Sequence, residues 1–136
     1  MIKRIFLVLV SSVILAGCLP SIAGRGRSQG GEGQFVKGKV VEDFPNLPLY
    51  PKAKIIESYG SGGMYGASFV VDEKLERVVS FYNDSLRASG WDAQLKKQSE
   101  TNYIFEIKNA PNRGQVIINT AANSQKTAII VSVEPR

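Results

Sequence analysis

Residues 72–108 read DEKLERVVSFYNDSLRASGWDAQLKKQSETNYIFEIK, and one change of period inside them decides the fold. Leu75, Val78, Val79, Tyr82 and Leu86 recur at i, i+3, i+4, i+7 and i+11, one apolar stripe on a helix. The spacing predicts a helix over 72–89. Asp72 stands where an N-cap is expected, and Glu73 and Glu76 suit the positive end of the helix. Gly90 stands at the C′ position, where a left-handed residue ends many helices. Beyond Gly90 the period becomes two. Trp91, Ala93 and Leu95 alternate with Asp92, Gln94 and Lys96. After a turn at 99–102, Tyr103, Phe105 and Ile107 alternate with Ile104, Glu106 and Lys108. This is a helix feeding a hairpin.

Downstream, 110–114 (APNRG) reads as a turn, 115–120 (QVIINT) as a strand, 123–126 as a polar turn and 127–133 (TAIIVSV) as the last strand. Upstream, 53–59 (AKIIESY) and 65–71 (YGASFVV) flank the glycine-rich break at 60–63 and read as a hairpin. A glycine run can also cradle a phosphate, but that chemistry wants a strand, a loop and a helix start, usually with a lysine. Here the loop joins two strands. Residues 44–51 (FPNLPLYP) hold three prolines, which favour extended or polyproline II chain. Similar segments serve as ligands of SH3-like modules. The apolar Phe44, Leu47, Leu49 and Tyr50 suggest instead an arm packed on its own domain. Residues 35–41 suit a short strand or the start of that arm. The expected order is β-β-α-β-β-β-β. That is an α+β domain: an antiparallel sheet of about six strands with one helix packed on one face.

Composition bounds the chemistry. The chain has 136 residues, 43% apolar and 21% charged, ordinary for a globular domain. It has no histidine and one cysteine. Histidine-based triads, histidine metal ligands and an intramolecular disulfide are therefore excluded. No nucleophile elbow and no helical SxxK is found, and EF-hand spacing is absent. No catalytic set, metal site or cofactor is expected. The basic residues are scattered, not striped, so nucleic acid is not an expected partner.

The N-terminus carries its own message. Lys3 and Arg4 precede a twelve-residue stretch, 5–16, that is apolar except for Ser11 and Ser12. A spanning helix needs about 20 apolar residues, so this length suits a signal-peptide core. The stretch runs into Leu15-Ala16-Gly17-Cys18, which resembles the bacterial lipoprotein lipobox. The resemblance implies cleavage between Gly17 and Cys18 and a diacylglycerol on the Cys18 thiol. Leu19 occupies the place where an aspartate favours inner-membrane retention in enterobacterial lipoproteins, so the resemblance leans toward the outer membrane. The chain from Cys18 onward would carry 15 basic and 12 acidic residues, a mild +3. Residues 20–34 include five glycines and little that is apolar, and read as a soluble tether. The expected organisation is a signal at 1–17, lipidated cysteine and tether at 18–34, and one domain at 35–136, with 35–51 as its extended arm.

A second resemblance covers residues 49–134. Tyr50-Pro51-Lys52-Ala53-Lys54, then Phe81-Tyr82, Leu86 and Gly90-Trp91, are similar to motifs of a small domain found in many bacterial lipoproteins and secreted proteins of uncharacterised role. Those motifs are structural, and the family supplies no catalytic residue to carry over.

Strand parity then sorts the sheet into two faces. Ile55, Tyr65, Phe69, Trp91, Leu95, Tyr103, Phe105, Ile118, Ile129 and Val131 share the face that the helix stripe should cover. The other face keeps Ile56, Val70, Ile104, Ile117 and Ile130, and one helix cannot cover both. The first expected cover for this second face is the arm at 35–51. A partner protein or a second copy comes next, and an apolar ligand after that. The functional expectation is a membrane-anchored envelope lipoprotein without catalysis, binding another envelope protein or itself. A module for a lipid, glycan or peptide ligand is the alternative.

Overall fold

A computed structural model describes residues 33–122 and 125–136. The expected signal, Gly17, Cys18 and nearly all of the expected tether lie outside the described residues, as does part of the 123–126 turn. The described chain runs β1 (Gln34–Lys37), β2 (Lys54–Ser61), β3 (Met64–Val71), α1 (Leu75–Ala88), β4 (Asp92–Ser99), β5 (Asn102–Lys108), β6 (Asn112–Thr120) and β7 (Thr127–Pro135). The strands form one antiparallel sheet in the order β1-β2-β3-β7-β6-β5-β4. The class is mixed α+β, mostly sheet. Seven strands stand where about six were expected. The addition is β1, which pairs Gln34–Lys37 with the distal half of β2.

Local chemistry places the turns. Ser61 pairs with Met64, leaving Gly62 and Gly63 as a two-residue loop with φ of 58° and 81°. Two positive φ values are what a type I′ hairpin demands and what glycine supplies without strain. Gly60 and Ser61 belong to β2, so the break is half as long as the sequence suggests. The 110–114 turn also shrinks, because Arg113 and Gly114 lie inside β6. Asn109 closes that turn: its side chain accepts from the Asn112 amide at 2.9 Å.

Helix α1 starts three residues later than expected, and its cap falls two residues later. Its N-cap is Lys74, without a side-chain cap, so Asp72 does not cap it. The buried Thr127 hydroxyl donates to the Glu73 carbonyl at 2.7 Å and ties the helix start to β7 instead. The far end closes as expected. Gly90 takes φ 86°, the Trp91 amide donates to the Leu86 carbonyl at 3.0 Å, and the Gly90 amide to the Arg87 carbonyl at 3.1 Å. That bond pair is a Schellman motif.

The stripe Leu75, Val78, Tyr82 and Leu86 is buried against Phe105, Val116, Ile118 and Ile129. The helix packs chiefly over β4 and β6, so part of this same face is left bare near β2 and β3. The proline-rich arm fills it. Leu47 joins the core, Phe44 meets Tyr65 edge-on at 6.0 Å, and Tyr50 meets Phe81 at 4.9 Å. Buried Ser58 clasps the arm: its hydroxyl accepts from the Val41 amide and donates to the Lys39 carbonyl, both at 2.9 Å. The arm therefore does not fold over the second sheet face. It finishes the first one, where buried apolar neighbours await it and the Trp91 indole N–H donates to its Asn46 carbonyl.

Candidate functional site: the open sheet face

Register assembles the second face in rows across the strands. Ile104 of β5 pairs with Ile117 of β6, and Ile117 with Ile130 of β7. These three form a continuous apolar ladder, with Ile130 42% exposed and its neighbours half-buried. The next residue in the row is Ser68 of β3, then Glu57 of β2. Val70 lies one pleat along β3, opposite Ala128. Ile56 is set apart: a β-bulge between Ile55 and Glu57 takes it out of register, and it stands 43% exposed. Three of the five expected surface residues are thus in direct contact register, a fourth is adjacent, and the fifth is displaced.

The adjoining row was not anticipated. Phe35 pairs with Tyr59, Tyr59 with Gly66, Gly66 with Ser132, and Ser132 with Gln115, followed by Glu106 and Gln94. The Tyr59 ring lies over the bare backbone of Gly66, where any Cβ would collide with it. Phe35 and Tyr59 are 57% and 49% exposed. Alternation from Ile55 sets Tyr59 on the covered face, and the β-bulge between Ile55 and Glu57 turns it to this one. A third row holds Asp92, Lys108, Arg113 and Glu134.

Along the second and third rows the charged side chains pair within the chain. Lys96 reaches Glu106 at 2.6 Å, Lys108 reaches Asp92 at 3.2 Å, and Arg113 reaches Glu134 at 2.8 Å. Exposed pairs of this kind add little stability, about 0–1 kcal/mol each. Their effect is to orient the side chains and cancel the local field. The last two rows bound an open trough of about 860 Å³ that touches every strand except β1.

On the opposite face, Leu95 departs from expectation. It lies at the margin of the helix, 43% exposed, and borders a shallow groove with Val79 of α1 and Tyr103. Lys97 sits nearby, its ammonium pushed up by a hydrogen bond to Glu100. Burial pushes the Tyr82 phenol well above its ordinary range. The Tyr50 backbone opposes this only partly, approaching without completing a hydrogen bond. Tyr82 is part of the buried core. Among the described residues, no group of three or more acidic or cysteine side chains is placed to hold a metal ion.

No protein-family model matches the chain, and neither a curated protein nor a solved structure matches it significantly.

Proposed function

We propose that this chain is an exported bacterial lipoprotein, held on a membrane through a lipid on Cys18. In this reading the domain is non-catalytic and binds another envelope protein through the open sheet face. The observation that supports it is the Ile104–Ile117–Ile130 ladder, which neither α1 nor the arm covers. The lipobox resemblance at 15–18 supports the anchor. Each buried methylene adds about 0.8 kcal/mol, so two or more acyl chains hold a small domain durably. Leu19 supports the outer membrane over the inner.

A photoreactive residue at position 117, crosslinked in live cells, tests the docking reading. One dominant protein adduct, or a crosslinked homodimer, is the expected result. Adducts no different from background would overturn it. Cys18→Ser tests the anchor separately: radiolabelled palmitate should enter the parent chain and not the variant. A second reading, a ligand-binding module, is favoured by the trough beside the ladder.

A further inference from the structure

Resting on that second reading, we infer that the trough is a binding site for an uncharged, extended saccharide, with Tyr59 as its stacking platform. Charge comes first. Asp92, Glu106 and Glu134 line the trough with Lys108 and Arg113, and Lys96 on Glu106 completes a neutral set. An anion or a cation entering here would compete with partners 2.6–3.2 Å apart and gain no net field. A neutral polyol does not disturb those pairs. It can donate to the free lone pairs of the carboxylates and accept from guanidinium, ammonium and amide N–H groups.

Shape and floor agree. The trough crosses from β2 to β4, at most about 24 Å at the usual inter-strand spacing, and it is open along its length. Its floor carries the Ser132 hydroxyl and the Gln115 amide, which are wrong for an acyl chain and right for hydroxyls. An extended peptide would seek a strand edge to extend the ladder. Most of the trough offers none, because it runs across strands that pair on both sides, and only its β4 end meets a sheet edge. At one wall the Tyr59 ring rests on Gly66, with its outer side in solvent. A flat, supported, half-exposed ring is the surface on which the apolar C–H face of a pyranose stacks. The volume, about 860 Å³, falls within the usual range for small-molecule sites.

The test uses the full chain in detergent micelles, titrated with tetra-N-acetylchitotetraose and cellotetraose as neutral probes. Tetragalacturonate and the glucosamine tetramer serve as anionic and cationic counterparts. Amide shifts and calorimetry are the readouts. At least one neutral tetramer should bind and move the Tyr59, Gln94, Gln115 and Ser132 resonances. The charged tetramers should bind about tenfold more weakly or worse. Tyr59→Ala should weaken binding by about tenfold, whereas Tyr59→Phe should stay within about twofold. If Tyr59→Ala fails to fold, Gln115→Ala carries the test, with a loss of similar direction and native dispersion retained. The inference is overturned if neither neutral tetramer moves these resonances at millimolar concentration. It is overturned equally if a charged tetramer binds as tightly, or if Tyr59→Ala folds and binds unchanged. The position 117 crosslink reads the ladder independently, so losing one result does not remove the other.

Discussion

The indole N–H of Trp91 donates to the backbone carbonyl of Asn46 at 2.9 Å, joining the end of the helix to the middle of the proline-rich arm across 45 residues of chain. The indole is buried to 3% exposure, so it fixes the arm by packing as well as by one hydrogen bond. Trp91→Phe should keep most of the packing and lose the bond, leaving the Asn46 carbonyl short of a partner. A loss of about 1–3 kcal/mol is expected. In a domain of this size that lowers the midpoint by several degrees, measurable by far-ultraviolet circular dichroism.

Ser58 makes the second clasp. Ser58→Ala removes one side-chain oxygen and orphans two backbone groups, the Val41 amide and the Lys39 carbonyl. The expected cost is about 1–3 kcal/mol. Hydrogen exchange should quicken at Val41 far more than at core amides such as Val116. Equal acceleration throughout would mean that the arm and sheet unfold as one.

Tyr82 gives an unusual substitution and a pH dependence. Its hydroxyl is buried without a hydrogen-bond partner, so Tyr82→Phe should be neutral or slightly stabilising, unlike most core changes. The folded phenol ionises well above its ordinary value of 10.0. Between pH 10 and that higher value the native state holds a proton that the unfolded chain has lost. Stability should therefore be intact below pH 10 and fall above it, by about 1.4 kcal/mol per pH unit from this group. Denaturant titrations from pH 9 to 11 should show a shallower alkaline decline for Tyr82→Phe.

Gly114 tests how closely β6 and β7 approach. A Cβ there would overlap the Ser132 carbonyl oxygen, which is backbone and cannot swing aside. Gly114→Ala should cost about 1–3 kcal/mol or more by overpacking. Gly38→Ala meets nothing within 4 Å and carries only the strain of φ 73°, about 1 kcal/mol. The ordering of the two midpoints in thermal melts checks this.

Ile130→Lys separates docking from folding. Ile130 is 42% exposed at the outer side of a paired strand, so the domain should lose less than about 1 kcal/mol. The same charge placed in the ladder should abolish the crosslink from position 117. A large loss of stability instead would mean that the ladder belongs to the core.

Much of this architecture is legible in the residues because periodicity is a local signal. The stripe from Leu75 to Leu86, the left-handed Gly90 and the alternation on either side of residues 99–102 each report their own element. What resists reading depends on distant partners. Asp72 has the right side chain for a cap, but Thr127, 55 positions later, decides where the helix begins by holding the Glu73 carbonyl. The arm is visibly apolar, yet its side of the sheet is set by Ser58 and Trp91, whose bonds run to backbone atoms that no side-chain pattern displays. The ladder of isoleucines follows from parity. The trough does not, because Tyr59, Ser132, Gln115 and Gln94 come together only through the register of five strand pairs.

The placement of β1 has a mechanical consequence. Tension reaching the domain from its N-terminal side enters at Gly33, the residue before β1. It meets a four-residue ladder first, then the Ser58 clasp, then the Trp91 bond to Asn46, in that order along the chain. These are graded fastenings in series. A pull that peels β1 from β2 removes Phe35 from the open face but lengthens the chain ahead of the sheet, so the load is absorbed before it reaches the ladder and the trough on β2 to β7.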